Sequence, residues 1–282
     1  PVFFSYALSG SYSAPTDCCR NPNIRQCLPI RIEPTPYDYH YAKYNNTCMN
    51  FIRSAPCPLC EIGPRQQSNI ATSFLDAGTI YGNTANDSAP IRTFRFGLLK
   101  TSQDRFGRPI LPTTPAPWNN ECSPPSAGMQ CFYAGDQRCN QHPSLMSMHL
   151  MFLRRHNLIA TSLRAVNGHW TDETLYQEAR RLVIAEIQHI TYNEYLRIVF
   201  GSQLMDYYSL NVLNRGYTAY EPDTDPTTWN EYATAACRFG HSQIRSFHSA
   251  FGNQSAGSYH LKDTFMDPSL LHRGLINLEI RA

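Results

Sequence analysis

Three stretches of the sequence carry side chains whose types and spacing could do chemistry. In Cys237-Arg238-Phe239-Gly240-His241-Ser242-Gln243-Ile244, an imidazole follows directly on a glycine. Imidazole binds metals and moves protons near neutral pH, and the neighbouring glycine lets a flat partner approach closely. A plain core histidine fits the same pattern. In Phe132-Tyr-Ala-Gly-Asp-Gln-Arg-Cys-Asn-Gln-His142, Gly135 and Asp136 bend the chain just before a helix, in a way that would aim Arg138 into a cavity. A buried guanidinium needs an anion or a polarised substrate to offset its desolvation; an exposed turn arginine is the alternative. In Thr72-Ser-Phe-Leu-Asp-Ala-Gly78, alternate residues offer oxygen: the Thr72 hydroxyl and carbonyl, the Phe74 carbonyl and the Asp76 carboxylate. Hard cations such as Ca²⁺ take such ligands, although a capped helix start explains the stretch equally.

The elements that must position these residues are helices in the second half. Leu145, Met148, Phe152, Ile159 and Leu163 recur near helical spacing, which predicts an amphipathic helix over 144–166. A second is expected from an N-cap at Thr171 to about Tyr192, with Asp172 and Glu173 at the positive end of its dipole. A short helix over Tyr192–Phe200 should stop at Gly201, and residues 205–229 read as a loop. A third long helix is expected from Asn230 to about Phe251, with His241 at its centre. Residues 1–70 are rich in Cys, Pro, Tyr and Asn and read as irregular loops, with one short strand in Leu28-Pro-Ile-Arg-Ile; residues 83–135 are turn-rich. No internal repeat or domain boundary is visible.

Composition narrows the function classes. The chain has 282 residues, 42% of them apolar, which is enough to bury a core. A net charge of +2 with no basic run points away from nucleic acid. No apolar run approaches the roughly 18 residues of a membrane span. Ten cysteines are many, and six of them (Cys18, Cys19, Cys27, Cys48, Cys57 and Cys60) fall in loop-like sequence near the start. That clustering predicts disulfides and a secreted, extracellular setting. Cys57-Pro-Leu-Cys60 has zinc-site spacing, but no second such pair or His pair follows it. Sequons at Asn45, Asn86 and Asn253 agree with secretion.

Taken in order, Thr-Ser-Phe-Leu-Asp-Ala…Tyr-Gly, Ala-Gly-Asp-x-Arg-x-Asn, Leu-Tyr-Gln-Glu-Ala-Arg-Arg…Ile-Thr-Tyr-Asn-Glu-Tyr-Leu and Phe-Arg-Phe-Gly-His resemble the animal haem peroxidase family, from about Cys18 onward. The resemblance implies a mainly α fold with long disulfide-held loops and little β. It implies haem b and calcium as cofactors, and hydrogen peroxide with small electron donors (halide, pseudohalide, or a phenol such as tyrosine) as partners. His241 matches the axial ligand of the haem iron, Arg238 a partner of a haem propionate, and Arg138 the distal arginine. Thr72, Phe74 and Asp76 match calcium ligands, and Gly78 stands at a further ligand position. Cys122 and Cys131 match a family disulfide, Cys27 and Cys48 resemble partners of Cys18 and Cys19, and Cys139 and Cys237 are left as free thiols.

Three departures from the family pattern set further expectations. The family's distal Asp-His-Asp motif is absent from the 282 residues, and so is the downstream Asn that partners the proximal histidine. The chain is therefore expected to be a partial peroxidase domain, 1–282, inactive alone. Gln141 aligns with a haem-linking carboxylate, and an amide cannot form that ester. His142, four residues after Arg138, is weighed as a replacement for the missing base, and a piece of a longer protein is the simpler reading. A non-catalytic extracellular adhesion or matrix module on a degenerate scaffold, and a calcium-stabilised structural domain of a larger oxidase, are the competing readings.

Overall fold

The computed structural model describes residues 17–33, 41, 43–53, 56–57, 62–69, 71–114, 122, 129–251 and 256–274. Cys60 and the Asn253 sequon lie outside them. The described fold is mainly helical, with four small antiparallel two-stranded sheets. In chain order the elements are β1 (Ile30–Arg31), β2 (Cys48–Met49), α1 (Gly78–Tyr81), α2 (Ala85–Ile91), β3 (Ser102–Gln103), β4 (Pro109–Ile110), β5 (Thr113–Thr114) and β6 (Cys131–Phe132). A 3₁₀ turn, Gln137–Asn140, leads into α3 (Pro143–Val166) and α4 (Asp172–Ile190). A π-helical turn, Thr191–Tyr195, joins α4 to α5 (Leu196–Tyr207). Then come α6 (Asn230–Thr234), a 3₁₀ helix over Ala236–Gln243, β7 (Phe247–Phe251), β8 (Ala256–His260) and α7 (Ser269–His272).

Although the sequence shows no boundary, the chain divides into two compact units: residues 1–71 with 227–238, and residues 72–226 with 239–282. In the first, the disulfides Cys18–Cys27 and Cys19–Cys48 clip the loops together. The strand read in Leu28–Ile32 is β1, whose Ile30 and Arg31 pair with Met49 and Cys48 of β2. Cys18, Cys27 and Ala233 are the buried apolar side chains among its described residues. With so little core, covalent closure carries the stability, by about 3 kcal/mol for a loop of some 15 residues.

The second unit has a true core. α3 buries Met146, Leu150, Leu153 and Ala160 against Tyr176, Ala179 and Val183 of α4, with Ile80 and Tyr81 of α1 and Phe132 of β6. The larger aliphatic and phenyl side chains among these contribute about 1.5–3 kcal/mol each of transfer free energy. Both helices begin as the sequence predicts: the Thr171 hydroxyl accepts from the Thr174 amide, and Pro143 occupies the first turn of α3 behind a His142 cap. Polar braces tie the preceding loop to the pair. The Asn157 side chain accepts from Leu99 N–H at 2.8 Å and donates to Leu99 C=O at 3.0 Å. Asp172 accepts from Gly97 N–H at 2.6 Å while also holding Arg92. Gly97 sits at φ +71°, where a Cβ would meet the Tyr176 backbone nitrogen at 2.6 Å, so only glycine fits.

Two expectations about the helices need correction. The short helix breaks at Gly201 as expected, at φ 71° and ψ 167°, but a second helical segment follows the kink to Tyr207, so the loop begins later than residue 205. The long helix over Asn230–Phe251 does not form. Ala235 leaves helical geometry after α6, a 3₁₀ helix follows, and Phe247–Phe251 pairs with Ala256–His260 instead. Helices gain most of their stability from packing an apolar face. Here Tyr232, Phe239, Ile244 and Phe247 are all exposed, and Gly240 in the middle further disfavours the helix by about 1 kcal/mol.

Candidate functional site

Arg138 stands on a turn fixed from several sides. Before it, β6 pairs with β5, and Cys131 is joined to Cys122. Tyr133 N–H donates to Pro112 C=O at 2.9 Å, and Gly135 N–H donates to Ile80 C=O at 3.2 Å. The second contact brings two backbones together: a Cβ on Gly135 would lie 2.2 Å from Gly82 N and 2.6 Å from Ile80 C=O. The bend expected at Gly135 is thus a docking point on α1. Asp136 then caps the 3₁₀ turn, accepting from Arg138 N–H at 2.9 Å. The same carboxylate accepts from Arg138 Nε at 2.8 Å and pairs with its Nη2, gripping one edge of the guanidinium and setting its plane. Both side chains are largely buried, at 17% and 15% exposure.

Below the arginine, Asn140 closes the turn on its own hairpin. Its side chain accepts from Phe132 N–H at 2.9 Å and donates to Phe132 C=O at 2.7 Å, with Asn140 1% exposed. Cys139 is a free, fully buried thiol whose pKa burial pushes far up, so it stays protonated and inert. Cys237 is also free, as the sequence suggested. Gln141 N–H donates to Arg138 C=O at 2.8 Å, and Gln141 C=O accepts from Met266 N–H at 3.0 Å. His142 has a structural role: its Nδ1 accepts from Leu145 N–H at 3.4 Å and caps α3. Burial, then the charge of His248, lowers its pKa and keeps it neutral at pH 7. The nitrogen a base would use is therefore the one occupied by the cap.

The oxygen-rich loop packs around Gly78. A Cβ there would fall 2.6 Å from Asn83 Oδ1, 3.3 Å from Asp76 Oδ1 and 3.4 Å from Thr72 Cγ2. Asp76 Oδ1 accepts from Gly78 N–H at 3.1 Å, Thr72 Oγ1 from Phe74 N–H at 3.1 Å, and Asn83 Oδ1 from Thr72 N–H at 3.4 Å. The Phe74 ring faces solvent. Thr72, Asp76 and Gly78 are therefore brought together, with Asn83, which the sequence reading did not single out. The loop offers one carboxylate, and among the described residues no group of three or more His, Cys, Asp or Glu side chains is set to hold a metal. A hard cation would rely on neutral oxygens beside Asp76.

His241 lies exposed near the end of the 3₁₀ helix, where its C=O accepts from Ile244 N–H at 3.4 Å. Arg238, on the same helix, falls in the other compact unit. The imidazole is accessible, and a Cβ on the adjacent Gly240 would meet nothing within 4 Å, which leaves room for a flat ring. The cavity bordered by Ile80, Leu111, Tyr133, Ala134, His149 and Leu153 is apolar and far smaller than a haem.

Comparison with known proteins places these features in a family. A family model described as animal haem peroxidase matches residues 4–281. Chorion peroxidase of Drosophila melanogaster is 41% identical over 221 residues, covering 77% of this chain and 27% of that protein. Thyroid peroxidase of Sus scrofa is 34% identical over 299 residues, covering 96% and 31%. The chain thus spans about a third or less of either relative. Among solved structures, peroxidase A from Dictyostelium discoideum superposes with a TM-score of 0.69 at 26% identity, covering 89% of this chain and 49% of that one. A fatty acid α-dioxygenase from Arabidopsis thaliana shares the fold, with a TM-score of 0.60 at 17% identity.

Proposed function

Since this chain belongs to the animal haem peroxidase family, we propose that it is part of a secreted haem peroxidase that uses hydrogen peroxide to oxidise small donors: halide, pseudohalide or phenol. The Arg138 turn carries this reading. A guanidinium locked in plane by Asp136, on a turn docked through Gly135, is a preorganised donor for an oxygen that gains negative charge. One such donor is typically worth ~10²–10³ in rate. His241 would hold the haem iron through its accessible imidazole, and Arg238 would pair with a propionate. Bound haem supplies the two-electron oxidation by peroxide. Gln141 offers an amide where the family pattern has a carboxylate, so it would position the ring edge without an ester. Thr72, Phe74, Asp76 and Gly78 would hold calcium. The three disulfides among the described residues support an oxidising, extracellular setting.

The family's own proton acceptor is the missing part, because the 282 residues contain no Asp-His-Asp and His142 is engaged as a helix cap. The domain is therefore read as partial, and these residues alone should turn over no donor. Titration of the purified chain with haemin, followed by peroxide and guaiacol, tests this; turnover comparable to a complete peroxidase would overturn it. In a longer polypeptide that also carries Asp-His-Asp, His241→Ala should abolish the Soret band and turnover; unchanged activity would refute its role as ligand. The exposure of His241 and the amide at position 141 favour a second reading, a non-catalytic extracellular module. Absence of haem uptake by that longer polypeptide would favour the module.

A further inference from the structure

The core of the second unit contains a tyrosine–histidine pair that neither the capping chemistry nor the proposed site uses. The Tyr81 hydroxyl lies 2.9 Å from His156 Nδ1, and His156 Nε2 lies 2.8 Å from Gly97 C=O. Both side chains are 0% exposed. A carbonyl only accepts, so Nε2 carries the imidazole proton and Nδ1 presents its lone pair to the phenol. The phenol therefore donates to a base whose tautomer is fixed from behind. The nearest second phenol is different in kind. Tyr176 meets Tyr81 edge-on at 6.1 Å and is 1% exposed, but its hydroxyl has no hydrogen-bond partner among the described residues. Arg92 also sits over the Tyr176 ring at 3.8 Å, a cation that disfavours removal of an electron from it. The corresponding cation on Tyr81, Arg180, is farther away at 5.4 Å.

We infer that Tyr81–His156 is a redox site: Tyr81 gives one electron to a one-electron oxidant while its phenolic proton passes to His156 Nδ1. The O–H bond breaks and an N–H bond forms, giving a neutral phenoxyl radical beside an imidazolium, and the electron reduces the oxidant. Electron return reverses the proton along the same hydrogen bond, so the pair is restored with no net loss of atoms. Without such a base the positive charge would have to stay on the phenol as a cation radical, a far stronger acid than imidazolium and therefore the costlier cation in this core. At 2.9 Å the base is within transfer reach. Burial keeps the phenol protonated and the imidazole neutral at rest, the reactant state this exchange requires. Enclosure also separates the radical from the partners with which exposed phenoxyls couple. The inference uses the peroxidase reading only for the natural source of the oxidant.

The test needs neither haem nor peroxide, so its failure is distinct from failure of that reading. The purified chain is mixed with a photogenerated tris(bipyridine)ruthenium(III) oxidant, frozen after a variable delay and examined by electron paramagnetic resonance. Exposed tyrosines should give signals that decay quickly with dityrosine formation, while Tyr81 should leave a signal that persists at least tenfold longer. Tyr81→Phe should remove the persistent component and Tyr176→Phe should retain it. His156→Gln, checked for folding by circular dichroism, should reduce its yield at least tenfold. In the unaltered chain the persistent radical should couple to one exchangeable proton that disappears in D₂O, a readout that does not depend on any variant folding. A persistent signal surviving in Tyr81→Phe, or no exchangeable coupling in the unaltered chain, would overturn the inference.

Discussion

Replacing Gly135 by alanine isolates the docking that sets Arg138. The added Cβ would lie 2.2 Å from Gly82 N and 2.6 Å from both Ile80 C and Ile80 O, all backbone atoms that cannot rotate away. Relief requires the Arg138 turn and α1 to separate by about 1 Å, which also lengthens the Gly135 N–H bond to Ile80 C=O beyond hydrogen-bonding range. Overpacking of this kind costs about 1–3 kcal/mol, and the hydrogen bond adds about 1 kcal/mol. The sum, about 2–4 kcal/mol, corresponds to a fall in melting temperature of roughly 5–15 °C for a unit of this size. Differential scanning calorimetry and urea unfolding of the purified chain measure it. Gly168→Ala is the control, because the nearest atom to its added Cβ is Arg164 O at 3.9 Å; it should change stability by no more than about 0.5 kcal/mol. If Gly135→Ala were as stable as that control, the close approach of the two backbones would not be what holds the turn.

Other predictions follow from the same geometry. In a haem-loaded polypeptide with the complete distal motif, Arg138→Ala should slow peroxide reduction by ~10²–10³, measured by stopped-flow absorbance; Asp136→Asn, which frees the guanidinium plane, should show a smaller loss in the same direction. Calcium should raise the melting temperature of the parent chain and not of Asp76→Asn; at a hundredfold excess over Kd the gain is about 2.7 kcal/mol, and no shift in the parent would exclude a cation at the loop. Burial lowers the pKa of His156 to about 4. A histidine depressed in the folded state contributes stability above its unfolded value near 6.5, and that contribution is lost as pH falls towards 4. Urea midpoints should therefore drop between pH 7 and pH 4.5, by about 2–3 kcal/mol in free energy, and the slope should flatten in a folded His156→Gln; a pH-independent parent would contradict the buried neutral imidazole.

How much of this was legible in the sequence depends on the range of the interactions. The starts of α3 and α4 were, because a cap and an amphipathic stripe are local and the two helices do pack on one another. The family was legible from the order of four motifs, and the fold followed from it. What failed was the long helix around His241: periodicity cannot show whether an apolar face finds a partner, and Tyr232, Phe239 and Ile244 remain exposed. At Arg138 the bend was readable from Gly135 and Asp136, whereas the Phe132–Asn140 brace was not, since an asparagine pairing with a strand eight residues back leaves no compositional trace. Asp136 was visible as a turn residue but not as the carboxylate that orients the arginine. Asn83 and His156 were missed for a plainer reason: the side-chain contact that matters joins residues far apart in sequence, 11 residues to Thr72 for one and 75 to Tyr81 for the other.

The brace has a consequence for the order in which the molecule is assembled. Both of its hydrogen bonds join residues eight apart, and the Asp136–Arg138 pair joins residues two apart. Closing so short a loop takes little chain entropy and occurs on the ~10–100 ns scale. The arginine turn is thus a local object, able to close on itself during synthesis as soon as Gln141 has emerged. Docking on α1 then adds a preformed piece to the core rather than shaping it, with the guanidinium plane already set by Asp136.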